Sequence, residues 1–170
     1  MTRPQIVPLE TPRLALEPIT PDAAAEMVPV LADPSIYSST GGEPPAIDTL
    51  RDRYARQAAG HSPDGTQRWY NWLLRSEGAA VGFVQATVDD VDDARPAELA
   101  WVLSPSAQGR GLATEAAAAV MAWLADRGSR RFVASVHPAH SASAGVARRL
   151  GMAPTGLVDD DGEHEWAVDA

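Results

Sequence analysis

Residues 97–128, "AELAWVLSPSAQGRGLATEAAAAVMAWLADRG", change their hydrophobic period once, at a pair of glycines. Before the change, Leu99, Trp101 and Leu103 alternate with Glu98, Ala100 and Val102, the period of a strand. After it, the apolar positions fall at Leu112, Ala116, Ala119, Val120, Trp123 and Leu124, the stripe of a helix packed on one side. Gly109 and Gly111 stand at the junction. A loop that only reverses the chain needs one glycine, and a helix that only packs needs none at its entrance. Two residues without a Cβ permit positive φ and let a ligand touch the main chain. The amides from Gly109 to Thr114 precede or open the helix and so lack intrahelical partners. Together with the helix dipole they favour an anion, and Arg110 adds a cationic arm; a phosphate group fits.

The loop ends without the Gly-Lys-Ser/Thr of a nucleotide-hydrolysing P-loop. It also lacks the glycine spacing of a dinucleotide fingerprint and the acidic residue expected after it. Those two phosphate binders are set aside.

The rest of the chain reads as a single domain over 1–170. Leu9–Pro21 alternates as a first strand ended by Pro18 and Pro21. Thr20 caps a helix with Pro21 at its first position, running to about Ala32. "DPSIYSSTGGEPP" is loop, and a second helix starts at Asp48 or Thr49 and runs to about Ala59. "RWYNWLLRSEGAAVGFVQATVDD" forms two strands around a tight turn at Ser76–Gly78. After the glycine-led helix, ended by Gly128, "RFVASVH" is a strand. "SASAGVARRLGM" is a helix burying Ala142, Val146 and Leu150, and two short strands flank "DDDGE". The order predicts an α+β domain on one mixed sheet.

Composition narrows the partners. A formal charge of −9 argues against nucleic acid or an anionic membrane and is compatible with a cationic substrate such as an amine. There are no cysteines, which excludes disulfides, thiolate metal sites and a cysteine nucleophile. No apolar run spans a bilayer, and "MTRPQIVPLE" lacks the apolar core of a secretion signal, so a cytoplasmic protein is expected. No His/Asp/Glu cluster has metal-ligand spacing, so no metal is expected.

The pattern Gln108-x-x-Gly111-x-Ala113 resembles the acyl-CoA loop of the GNAT N-acetyltransferase superfamily. "TPRLALEPITPDAAAEM" is similar to the opening strand and helix of the branch that acetylates ribosomal-protein N-termini. "AELAWVLSPSAQGRGLATEA" resembles that branch's central strand and loop, and "HPAHSASAGVARRLGM" its later segment. The resemblance implies an α/β/α sandwich: a mixed, mostly antiparallel sheet of about seven strands flanked by four helices. It implies an N-acetyltransferase that passes the acetyl group of acetyl-CoA to a primary amine in a ternary complex. The alternative is a non-catalytic acyl-CoA-binding module.

On that resemblance the pyrophosphate sits on Gln108, Gly109, Arg110, Gly111, Leu112, Ala113 and Thr114, and the pantetheine arm lies along Trp101, Val102 and Leu103. His140 takes the place of the family's usual asparagine. Many relatives have a tyrosine acid where this chain has Ala147, and none follows Tyr70; Ser143 matches the serine that stands in for it. Glu98 is the candidate base, and a bulge in its strand would change the face it occupies. Asp159, Asp160, Asp161 and Glu163 are further carboxylates expected to face water, and His137 is a strand-end residue. Substrate walls are expected from the loop residues Ile36, Tyr37, Ser38 and Thr40 and from the hairpin residues Trp69, Tyr70, Asn71 and Trp72. Trp69 and Asn71 share one face and Tyr70 and Trp72 the other; which pair is core stays open. The last strands offer an edge for a homodimer.

Overall fold

The computed structural model describes residues 5–92 and 95–170. The start of the segment read above as carrying no leader therefore lies outside the described residues.

The first strand is not continuous. It forms two short strands, β1 (Leu9–Glu10) and β2 (Ala15–Pro18), which pair with each other through Leu9 and Leu16. Pro12 cannot donate to a ladder, and the chain turns there with the Thr11 amide bonded to the Leu14 carbonyl at 2.9 Å. Thr20 makes no side-chain cap; Pro21 opens a 3-10 turn, and α1 follows at Ala24–Val30. Pro29 lies inside the helix, which ends at Val30, just short of the expected Ala32, with the Leu31 amide still bonded to the Met27 carbonyl. The segment between helices is not wholly irregular, because Asp33 caps a 3-10 turn at Pro34–Tyr37. Helix α2 (Ile47–Ala58) starts slightly earlier than expected and has no side-chain cap.

Strands β3 (Gln67–Ser76) and β4 (Ala79–Asp89) form the expected hairpin. Its turn residues Glu77 and Gly78 both have positive φ, as a two-residue turn matched to strand twist requires. Then come β5 (Ala97–Leu103), α3 (Leu112–Ala125), β6 (Arg131–Val136), α4 (Ser141–Arg149), β7 (Ala153–Val158) and β8 (His164–Asp169). The eight strands form one sheet in the order β1-β2-β3-β4-β5-β6-β8-β7. The count exceeds the expected seven only because the first strand is split.

Each sheet face is closed by its own core. One face buries Tyr70, Trp72 and Trp123, whose rings meet edge to face across α3 at 5.0 and 5.5 Å. A fully buried side chain of this kind contributes roughly 1.5–3 kcal/mol. The hairpin's open question is thereby answered: Tyr70 and Trp72 are core. In α4 the inward residue is Ala147, fully buried, whereas Ala142 is exposed. Val146 and Leu150 pack on the core as expected, and Ala144 and Ala147 join them where Ala142 does not. The other face packs Ile19, Leu73 and the partly buried Phe83 and Val102 against Met27 and Leu31, in and just after α1, and Leu50 and Tyr54 of α2.

Candidate active site

The one parallel pairing among the named strands, β5 with β6, is also the shortest central one. It joins only Ala97 to Phe132 and Glu98 to Val133. Beyond that rung β5 stays with β4 as far as Leu103, while β6 follows β8 to Val136. The two central strands separate, and the outer edge of Leu99–Leu103, which includes Trp101 and Val102, faces no strand. Unpaired strand amides and carbonyls of this kind can bind an extended amide chain as a further strand.

The glycine loop lies past the open end of β5. Gly109 and Gly111 have φ of 75° and 77°, the left-handed region that a Cβ disfavours. No amide from Gly109 to Thr114 has a hydrogen-bond acceptor among the described residues. The Thr114 hydroxyl, buried in the first turn of α3, is also without a partner. A Cβ on Gly109 would meet nothing within 4 Å, so the space over the loop is open. A buried hydroxyl such as that of Thr114 is rarely left unpaired, and the exposed run of free amides ahead of the helix fits a diphosphate. Gln108 is turned the other way: its side-chain amide donates to the Leu103 carbonyl at 3.1 Å, tying the loop to the strand end.

Arg13, which sequence reasoning passed over, holds this loop from beneath. Its guanidinium donates to the Arg110 carbonyl at 2.7 Å and to Glu115 of α3 at 2.8 Å. The only sequence signal was an arginine in a turn.

Ser143 lies in the first turn of α4, half-buried, one turn ahead of Ala147 on the same face. Its hydroxyl makes no hydrogen bond among the described residues, and no side chain caps α4. His140 is the residue before that helix. Burial, then the nearby His137, lowers its pKa, so the imidazole is neutral at pH 7.

β5 keeps an unbroken register with β4 from Glu98 opposite Thr87 to Leu103 opposite Gly82. There is no bulge in that ladder, so Glu98 shares the α1/α2 face of the sheet with Ala100 and Val102. On this face, at the open end of β6, lies a cavity of about 520 Å³ lined by Ser39, Thr40, Gly41, His137, Asp161 and Glu163. Glu163 does not simply face water. It is part-buried, and its carboxyl pKa is raised by burial, by Asp159 and Asp161 and, more weakly, by Glu98, against the opposing pull of His137. Mutual repulsion of this kind marks a site of negative potential that favours a cation. Asp159, Asp160 and Asp161 are exposed, as expected.

Of the expected substrate walls, Tyr37 is fixed by a hydrogen bond from its hydroxyl to the Leu31 carbonyl at 2.9 Å. Trp69 and Asn71 point to the α1/α2 face, opposite Thr87 and Gln85, with Asn71 buried. Of the loop residues expected there, Thr40 lines the cavity, beside Ser39 and Gly41, and Ser38 does not. Among the described residues no cluster of three or more His, Cys, Asp or Glu could hold a metal ion. No helix among them is long and apolar enough to cross a membrane.

The acetyltransferase (GNAT) domain family matches residues 13–153. The chain therefore belongs to the GNAT acetyltransferase family. No curated protein sequence matches it significantly. The fold is shared with solved structures of low identity. One is RimL, a ribosomal L7/L12 alpha-N-protein acetyltransferase in complex with coenzyme A, at 21% identity over 97% of this chain and 98% of that one, TM-score 0.79. A second is the microcin C7 self-immunity acetyltransferase MccE in complex with acetyl-CoA and AMP, at 14% identity over 94% of each chain, TM-score 0.79. A third is the aminoglycoside acetyltransferase AAC(6')-Ib in complex with coenzyme A, at 17% identity over 92% and 94%, TM-score 0.75. The expected family and the α+β sandwich are borne out.

Proposed function

We propose that this chain is a cytoplasmic N-acetyltransferase, acting as one domain, that binds acetyl-CoA on the α3 loop and acetylates a primary amine held at the acidic cavity. The observation that carries the reading is the run of unpartnered amides from Gly109 to Thr114 beside the unpaired edge of β5. The first fits a pyrophosphate, and the second fits the amide-bearing arm attached to it. The solved relatives named above include complexes with coenzyme A or acetyl-CoA.

In this reading the loop amides and Arg110 bind the phosphates. Trp101, Val102 and Leu103 align the arm, and His140, neutral, contacts it near α4. Glu98, alone or through a water, takes the proton lost by the ammonium; Glu163 holds the negative field that draws the amine in. The amine nitrogen forms a bond to the thioester carbon, the carbon–sulfur bond breaks, and the second proton shed by the nitrogen ends on the sulfur, giving the amide and the free thiol. Ser143 then donates a hydrogen bond to the departing sulfur. An α-amine, with a pKa of about 8, needs little help to become neutral, so positioning can supply most of the rate.

A binding module without catalysis is the competing reading. It is favoured by Ala147, which offers no acid where many relatives have a tyrosine, and by His140 in place of the usual asparagine. One assay separates the two. Thiol release from acetyl-CoA is followed across amino acids, polyamines, aminoglycosides and peptides, with coenzyme A binding measured by calorimetry. Release with any amine removes the binding module. Heat of binding without release supports it, and no heat at all overturns the cofactor site.

A further inference from the structure

A second cavity, of about 230 Å³, opens on the same sheet face beneath α2, and its walls include Arg53, Tyr54, Gln57, Phe83 and Gln85. Three of those groups are unspent. Tyr54 is 2% exposed, and its hydroxyl has no hydrogen-bond partner. The Gln57 side-chain oxygen is buried and equally without one. Arg53 is exposed, its charge favours the ionised form of the Tyr54 and Tyr37 hydroxyls, and it forms no ion pair among the described residues. Arg53, Tyr54 and Gln57 sit on adjacent turns of α2, with Arg53 and Gln57 four apart on one face. Burying a hydroxyl and an amide oxygen without partners costs stability, and a core function does not require either. Phenylalanine at 54 would fill the same space.

The cavity is in line with the candidate active site. Phe83 packs with the α1/α2 core, so Gln85 and Thr87, two and four residues on, face the same way. Gln85 is opposite Ala100, and Thr87 is opposite Glu98. The wall of this cavity is therefore one rung pair, about 7 Å, from the rung that carries Glu98.

We propose that this cavity is a carboxylate subsite for the acceptor, and that the preferred acceptor is a free dipeptide whose carboxylate enters beneath α2 while its amine reaches towards the rung of Glu98. The guanidinium pairs with the carboxylate, the Tyr54 hydroxyl donates to it, and the Gln57 amide serves the atoms between as acceptor or, turned over, as donor. The opposite end of the molecule reaches the acidic cavity, where Glu98 and Glu163 receive its ammonium. An extended dipeptide covers that distance. The placement of the amine rests on the acetyl-transfer reading; the carboxylate subsite does not.

The test uses the full chain with acetyl-CoA and two matched acceptors, glycylglycine and glycylglycinamide, which differ only in the carboxylate. Thiol release should favour glycylglycine at least tenfold in kcat/KM, mostly through KM. Arg53→Gln and Tyr54→Phe should each bring that ratio towards one, while the coenzyme A affinity seen by calorimetry stays as in the parent. Without any acceptor, Tyr54→Phe should melt about 2–4 °C higher, because an unpaired hydroxyl has been removed. Equal use of the two acceptors by the parent, an unaltered ratio in both variants, or a lower melting temperature for Tyr54→Phe overturns the subsite. If no acceptor is turned over, melting in the presence of coenzyme A decides. A rise with glycylglycine but not with its amide upholds the subsite even though the transfer reading then fails for this acceptor, and no rise with either overturns the subsite.

Discussion

Arg13 and Glu115 are 102 residues apart in sequence, yet Arg13 Nε lies 2.8 Å from Glu115 Oε2. The contact fastens the turn after β1 to the first turn of the helix that opens the phosphate loop. Because the same guanidinium also takes the Arg110 carbonyl, Arg13 fixes the path of the loop between its two glycines. Arg13 is about half exposed, so the ion pair itself adds little stability, ~1 kcal/mol or less. Arg13→Ala should accordingly lower the melting temperature only slightly while weakening coenzyme A binding by about 3–10-fold, read by calorimetry. A large loss of stability with unchanged affinity would reassign Arg13 to packing alone.

Gly82 gives a second test at the other end of the same loop. It lies opposite Leu103, and a Cβ built there would come within 2.0 Å of the Val102 carbonyl oxygen. The two backbones meet more closely than any side chain allows. Gly82→Ala must therefore move the end of β5, the segment that leads into the loop and offers the unpaired edge. We expect a loss of about 2–3 kcal/mol in chemical denaturation, within the range of a backbone clash, together with weaker coenzyme A binding. Gly109→Ala, by contrast, meets no atom and should cost only the ~1–2 kcal/mol of a left-handed residue.

These tests show which parts of the molecule could be read from the sequence. The β5–α3 junction was legible because its period changes at a fixed point and its glycines mark it. The hairpin at Glu77–Gly78 was legible for the same kind of local reason. What could not be read is what depends on distant segments meeting. Nothing local about Arg13 says that Glu115 is its partner, and nothing near Glu163 says that Glu98 and His137 raise and lower its pKa. Trp69 to Trp72 alternate cleanly, but which face is core depends on where Trp123 arrives. The split of the first strand was available in principle, from Pro12 between Leu9 and Ala15. It was hidden because the alternation of Leu14, Leu16 and Ile19 runs on past the break.

Glu163 makes the acidic cavity measurable by pH. Its carboxyl titrates above the ordinary 4.5 in the folded chain, with burial the largest cause. Ionising it therefore costs the folded state more than the unfolded one. The stability associated with the protonated form is full below the ordinary glutamate range and is lost as pH rises through the raised value. Glu163→Gln, which stays neutral, should melt higher than the parent at pH 7–8, and the two should converge near pH 4. The same substitution should weaken the field on the acceptor and raise KM for a cationic amine several-fold, with coenzyme A affinity unaltered. Parallel melting curves at all pH values would mean that the carboxyl is not held against its neighbours.

His140 carries the opposite sign. Its pKa is lowered, so the folded chain resists the proton that an unfolded histidine accepts. Stability is full above the ordinary histidine value of 6.5 and falls as pH drops through the lowered one. His140→Asn, which restores the family's usual residue, should match the parent at pH 8 and exceed it at pH 5 in thermal melts. If asparagine contacts the arm as well as histidine does, coenzyme A affinity should change by less than about threefold.

Ser143 separates chemistry from structure most directly, because its hydroxyl is bonded to nothing among the described residues and caps no helix. Ser143→Ala therefore removes no native hydrogen bond, and alanine is the better helix former, so the melting temperature should hold or rise slightly. A hydroxyl that donates to a developing thiolate is needed only as the carbon–sulfur bond breaks. Its loss should lower kcat by roughly 10–100-fold while leaving KM for the amine and the affinity for coenzyme A almost unchanged. The direction of the leaving-group effect adds a second readout. Acetyl thioesters of more acidic thiols need less help at sulfur, so the variant's deficit should shrink as the thiol pKa falls. A deficit that is constant across such thioesters would place Ser143 in the alignment of the arm, and a drop in melting temperature without a drop in kcat would return it to a structural role.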